Sequence, residues 1–241
     1  MNRLIPFLCI SFIATTICTN AVVAKTRAPD WALPYLNKHS DPFLEDSWYM
    51  QAVLFKQAYI EFKEDGSYDT RFRRILYFNK ENAIKFARKE FSYFPETDTV
   101  KSMRAWVIAP NGKVTRTRMG QLEDNALRRS SIERLHAAKL KFYPEGEIHE
   151  GSILIMEATL ESTPGRPQIG FQLSEDIPVV QASIKLKLPN GWKATSRTFN
   201  HEEINPWVLD NHWKWELKGI PRVQKESNTP GNYSLWKWLD I

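Results

Sequence analysis

The chain has 241 residues, with 33 Lys and Arg against 28 Asp and Glu, a formal net charge of +5. That excess is mild and spread along the chain without a block of five like charges, which argues against a nucleic-acid-binding protein. Both cysteines, Cys9 and Cys18, lie in the first 24 residues, so a chain cut behind them has no disulfide, thiolate metal site or cysteine nucleophile.

Those first residues predict a Sec signal peptide. Met1-Asn2-Arg3 supplies the positive start, and an uncharged apolar run extends from Leu4 to Cys18. The run is shorter than the roughly 20 residues that span a bilayer as a stable helix. Val22 and Ala24 are small residues placed for a signal peptidase, so cleavage is expected after Ala24. Cys9 follows Leu8 and Cys18 follows Ile17, and neither is a lipoprotein acceptor context. The expectation is a periplasmic or secreted protein, residues 25–241, with no stable membrane span after cleavage.

Lys25 to Pro42 contains several prolines and reads as an extended lead-in. Ala58, Ile60 and Phe62 then alternate with polar neighbours, Glu64-Asp65-Gly66-Ser67 interrupts, and Tyr68, Thr70, Phe72, Leu76 and Phe78 resume the period of two. Asp-Gly tolerates the positive φ of a tight turn, so two long antiparallel strands are predicted. Arg74 shares the face of Phe72 and Leu76, whereas Arg71 and Arg73 should point to solvent. Asn79 can cap a short helix reaching about Tyr93, with Ala83, Phe86, Ala87 and Glu90 at helical spacing. Val100–Ile108 reads as a strand leading into a turn at Pro110-Asn111-Gly112-Lys113, with Val114 beyond it. Met119 to Lys139 is polar and basic and reads as a long loop with some helix.

Gly151 to Leu160 forms an apolar core strand, and Phe171 and Leu173 suggest a short one. Ala182, Ile184, Leu186 and Leu188 alternate with Ser183, Lys185 and Lys187, closing at Pro189-Asn190-Gly191, with Trp192–Thr198 returning. Trp213, Trp215 and Leu217 alternate in a last strand before Gly219. Strands at this spacing, punctuated by Pro, Asn and Gly, predict a mostly β protein: a single antiparallel β-sandwich domain over 25–241 with one or two short helices.

The order of these signals carries a resemblance. Ala28-Pro29-Asp30-Trp31 is followed by the hairpin from Ile60 through Asp65-Gly66 to an arginine-containing return strand ending at Asn79. Ile108-Ala109-Pro110-Asn111-Gly112-Lys113, Glu150-Gly151-Ser152-Ile153-Leu154, Leu188-Pro189-Asn190-Gly191, Trp213-Lys214-Trp215, Ile220-Pro221 and Glu226 come next. Over roughly residues 28–230 the chain resembles the bacterial extracytoplasmic domain of unknown function that usually precedes a transglutaminase-like domain. The resemblance implies a β-rich sandwich with an accessory role and brings no catalytic residues. A transglutaminase-like domain needs a thiolate beside a base, and the chain stops at Ile241. It therefore reads as either a stand-alone accessory protein or a truncated relative.

The chemistry-bearing residues point the same way. His39, His136, His149, His201 and His212 include no pair at i, i+2 or i, i+4. A metal site assembled from His201, Glu202, Glu203 and His212 is a weaker reading than surface loops, and no metal or cofactor is expected. Gly151-Ser152 lacks the second glycine of a nucleophile elbow. Glu123, Asp124, Glu145, Glu147 and Glu150 could supply a glycosidase-like carboxylate pair, a pattern that surface loops also produce. Arg116, Arg118, Arg128, Arg129 and Arg134 form a basic cluster best read as a solvated loop face. Trp213 and Trp215 share a strand face, where core packing explains them; if exposed, such a pair could hold sugar rings.

The sequence thus predicts a non-enzyme: an exported accessory or binding module serving a transglutaminase-like protein or another envelope protein. Two alternatives stand beside it. One is a polysaccharide- or peptidoglycan-binding module using Trp213 and Trp215, and the other is a hydrolase built from histidine and carboxylates.

Overall fold

The computed structural model describes residues 27–45, 49–80, 89–117, 123–126, 138–142, 148–165, 168–223 and 236–241. The chain is mostly β, as its alternation predicts. Its centre is the hairpin of β1 (Gln51–Phe62) and β2 (Tyr68–Phe78). The register pairs Ala58 with Phe72 and Ile60 with Thr70, with a bulge between Val53 and Phe55. The turn forms where Asp-Gly predicts it. Gly66 has φ +82, and Asp65 Oδ1 accepts hydrogen bonds from the Ser67 amide at 2.9 Å and hydroxyl at 2.7 Å. A Cβ added at Gly66 would meet only Pro164 at an ordinary 3.6 Å. Gly66→Val is therefore expected to cost about 1 kcal/mol or more through backbone strain alone, read as a shifted denaturant midpoint.

Around the hairpin lie β4 (Asp98–Ile108), β5 (Val114–Thr117), β8 (Ile153–Ser162), β10 (Val179–Lys187), β12 (Trp207–Leu209) and β13 (His212–Ile220). They complete an eight-stranded sheet in the order β12-β13-β10-β1-β2-β8-β4-β5. Two three-stranded sheets accompany it. One comprises β9 (Gly170–Gln172), β11 (Arg197–Phe199) and β14 (Trp238–Asp240), and the other β3 (Lys89–Tyr93), β6 (Glu123–Ala126) and β7 (Ala138–Phe142).

One face of the large sheet is covered by a second layer, and the other is covered in part. On one, Ala58, Ile60, Leu76, Leu154, Met156, Ile184 and Trp215 pack with Phe171, Leu173 and Leu239 of the β9–β14 layer. This is the sandwich core. On the other, Leu54, Phe55, Ile75 and Ile155 lie under a 3₁₀ helix (Asp30–Ser40) and α1 (Pro42–Glu45), with Tyr35 stacked on Phe55 at 3.8 Å between ring centroids. Burial on both faces explains the unbroken apolar runs Ala52–Phe55 and Ile153–Met156.

Several expectations are corrected. The lead-in is helical over 30–40 rather than extended, because turning it over Phe55 buries Ala32 and packs Trp31 and Tyr35. The helix expected to reach Tyr93 is displaced at its end, where 89–93 pairs with β7 as a strand; 81–88 lies outside the described residues. Within Met119–Lys139, 123–126 and the start of β7 are strands, cross-strand pairing overriding weak periodicity. The sandwich is not wholly antiparallel, since β10 runs parallel to β1. With its other edge taken by β13, β10 has no place for a returning Trp192–Thr198 strand, and 197–199 pairs with β14 instead.

Candidate functional site

Arg73 and Arg74 are consecutive on β2, so the period of two sends them to opposite faces of the sheet. Each ends in a buried cluster of charge.

Arg74 enters the sandwich side, where it pairs across the hairpin with Lys56 of β1. The carboxylate between them is Glu175, from the loop after β9. Lys56 Nζ donates to Glu175 Oε1 at 2.6 Å, and Arg74 forks onto both oxygens, Nη1 to Oε1 at 2.6 Å and Nη2 to Oε2. The loop is pinned on both sides, by the Val223 amide on the Glu175 carbonyl at 2.8 Å and the Leu173 amide on the Lys237 carbonyl at 2.8 Å. Burial alone would raise the Glu175 carboxyl. The charges of Arg74 and Lys56, with their hydrogen bonds, reverse this and hold it well below the usual carboxylate range. The Lys56 ammonium is pulled down by burial, with Glu175 opposing and Arg74 adding to the fall. An open cavity of about 370 Å³ adjoins the cluster, lined also by Gln172, Asp176 and Trp236. Arg74 Nε is buried without a hydrogen-bond partner among the described residues.

Arg73 takes the other face. Its Nε donates to Glu157 Oε2 at 3.0 Å, Arg104 Nη2 lies 3.1 Å from Glu157 Oε1, and the guanidinium stacks 4.9 Å from the Trp31 ring. Arg73 therefore does not simply face solvent as its alternation suggested. The register is as predicted, but Glu157 is only 7% exposed along its side chain and draws the arginine down. Arg73→Ala should cost about 1–3 kcal/mol by leaving that carboxylate with one partner. Arg71→Ala, at an exposed position, should cost under about 0.5 kcal/mol. Denaturant melts of the two variants give the comparison.

The residues singled out from sequence fall elsewhere. Trp215 is 1% exposed, with its Nε1 donating to Ser196 Oγ at 3.0 Å, and Trp213 is half-buried, its ring 6.1 Å from that of Trp215. They share a face, but it is the core face, so they do not form an exposed platform. His201 Nδ1 lies 2.9 Å from the Glu202 carbonyl, and Glu203 accepts from the Thr198 amide. Among the described residues no group of three or more His, Cys, Asp or Glu could hold a metal ion. Glu150 is exposed; Glu145 and Glu147 lie outside the described residues, as do the side chains of Glu123 and Asp124. Arg116 is exposed over the Trp106 ring at 5.8 Å, and Arg118, Arg128, Arg129 and Arg134 lie outside the described residues. Sequence reasoning missed Lys56, Glu157 and Glu175. A lysine inside Ala52–Ile60 and a glutamate inside Ile153–Leu160 are charges in apolar strands, a signal that could have found the first two.

The family model for the Domain of Unknown Function with solved-structure structure (DUF3857) matches residues 64–224. The chain belongs to the DUF3857 family. That match covers the hairpin's return strand, Glu157 and Glu175, so both clusters fall largely within the DUF3857 region. No curated protein matches the sequence. A crystal structure described as a "putative protease" from Parabacteroides distasonis superposes with a TM-score of 0.65 at 15% identity, covering 79% of this chain and 40% of that one. This chain thus spans well under half of that protein, and the likeness shows the fold alone. A "putative nutrient binding protein" from Legionella pneumophila scores 0.38 at 10% identity, over 80% of this chain and 68% of that one. An M1 zinc metallopeptidase from Deinococcus radiodurans scores 0.35 at 6% identity, over 80% and 43%. Those two scores are too low to carry an argument.

Proposed function

We propose that this chain is an exported, non-catalytic accessory module that acts by binding, serving a transglutaminase-like or other protein of the cell envelope. The observation that supports this reading is the closure of both buried charge clusters. Glu175 is taken by Lys56 and Arg74, and Glu157 by Arg73 and Arg104. Groups that general acid–base or nucleophilic chemistry would recruit are thereby held as partners of one another. The likeness to part of a much longer chain described as a "putative protease" fits a module that accompanies other domains.

A peptidase and glycosidase panel tests the reading. No turnover above that of the Glu157→Gln/Glu175→Gln variant is expected. A turnover that this variant abolishes while the chain remains folded would overturn the proposal. The compartment is tested separately: mass spectrometry of the exported protein should place its N-terminus at Lys25, and recovery of intact Met1 from the membrane fraction would refute the cleavage.

A further inference from the structure

Among the described residues, helix caps the large sheet only at one end of its second face. Beyond that cap a row of side chains crosses five strands: Trp207 on β12, Lys214 on β13, Lys185 on β10, Tyr59 on β1 and Arg71 on β2. Each is the register partner of the next. Neighbouring strands lie about 4.8 Å apart, so the row runs for roughly 19 Å. Trp207 is 58% exposed and Arg71 is exposed, whereas Lys185, Lys214 and Tyr59 are half-buried.

The charges on this face are unevenly matched. In the flanking rows, Glu61 is held by Lys187 at 2.6 Å, its row neighbours Asp69 and Glu161 by Lys63, Glu161 also by Lys101, and Glu157 by two arginines. Glu216 is held by Lys214 at 2.6 Å and also approached by Lys218. Among the described residues Arg71 and Lys185 have no ion-pair partner, and they lie two strand steps apart, roughly 10 Å. The Lys185 ammonium is pulled below its ordinary range by burial first, then by Lys214 and Arg73, with Glu216 opposing. A bound anion would relieve that field.

We infer that this row binds a linear acidic glycan, with carboxylates on Lys185 and Arg71 and sugar rings on Tyr59 and Trp207. Two features select this occupant. The unpaired cations are spaced for a carboxylate on every second ring or so, whereas a nucleic-acid strand carries a charge at each nucleotide, more than these two cations match. Aromatic rings, polar at one edge and apolar on the face, suit the amphipathic faces of pyranose rings. The site lies on the opposite face from Trp213 and Trp215, so it is separate from the tryptophan pair suggested by sequence.

The inference rests on the reading of the chain as a binding module. Its test is calorimetric titration of the purified chain with hyaluronan oligosaccharides, which carry a carboxylate on every second ring, at low salt, beside their methyl esters and oligo-dT. The hyaluronan oligosaccharides should bind, with affinity falling as salt rises, and the esters and oligo-dT should bind at least tenfold more weakly. Arg71→Ala/Lys185→Ala and Trp207→Ala should each weaken binding at least fivefold with unchanged thermal midpoints. No binding, equal binding of oligo-dT, or variants that bind like wild type would overturn the inference. Binding accompanied by shortening of the oligomer, seen by mass spectrometry, would uphold the ligand and overturn the non-catalytic reading instead.

Discussion

Glu175→Gln is expected to lower the unfolding free energy at neutral pH by about 3–5 kcal/mol, the usual penalty for stranding buried charge. The amide keeps the shape of the side chain and removes its charge, leaving Lys56 and Arg74 together in the sandwich interior. The pH profile should separate this from a packing defect. The folded-state carboxyl lies below its ordinary value of 4.5, so its stabilisation is present above about pH 4.5 and is lost as pH falls toward the folded-state value. Denaturant melts of the wild type should therefore weaken progressively below about pH 4.5. The Glu175→Gln variant, already without the charge, should lose less over the same range. Lys56→Met supplies the contrast. It removes one cation, leaves the bidentate Arg74–Glu175 pair intact and places an apolar stem where Lys56 is buried, so the loss should be under about 1.5 kcal/mol. A Glu175→Gln chain within 1 kcal/mol of wild type at pH 7 would show that water reaches the cluster and shields both cations.

The same residues show how far local pattern extends. The β1–β2 hairpin was legible because alternation, the Asp65-Gly66 turn and strand length agreed, and its register placed Arg74 on the core face. The partner of Arg74 was not legible. Glu175 lies about a hundred residues away in a loop whose sequence has no periodicity, and only the packing of the β9–β14 layer over the sheet brings it to Arg74. Arg73 illustrates the converse failure. Alternation set its face correctly, but a face is solvent-exposed only if nothing covers it, and the Pro-containing lead-in folds back to place Trp31 over the guanidinium. The parallel β1·β10 pair was missed for a related reason. A turn signal at Pro189-Asn190-Gly191 suggests a return strand, whereas the edges of β10 are claimed by strands distant in sequence. Turn chemistry reports that the chain reverses and leaves open which strand it joins.

Trp215→Ala is expected to destabilise the chain by about 3–5 kcal/mol, the range for deleting a large buried aromatic ring. Its ring is 1% exposed and packs in the sandwich core beside Ile184, its register partner on β10. Deletion also strips Ser196 Oγ of its indole donor. Trp215→Phe should recover most of the apolar burial and lose chiefly that hydrogen bond, about 1 kcal/mol. Trp213→Ala, two residues away on the same face but half-buried, should cost clearly less than Trp215→Ala. This ordering decides what the Trp-x-Trp pattern is for. A pair of surface rings serving a ligand would tolerate both truncations, because removing exposed apolar surface costs folding little. A core ring with a half-covered neighbour would give one large loss and one smaller. Urea midpoints for the three variants provide the comparison. Equal, small losses for Trp213→Ala and Trp215→Ala would return both rings to the surface and reopen the sandwich face as a binding site.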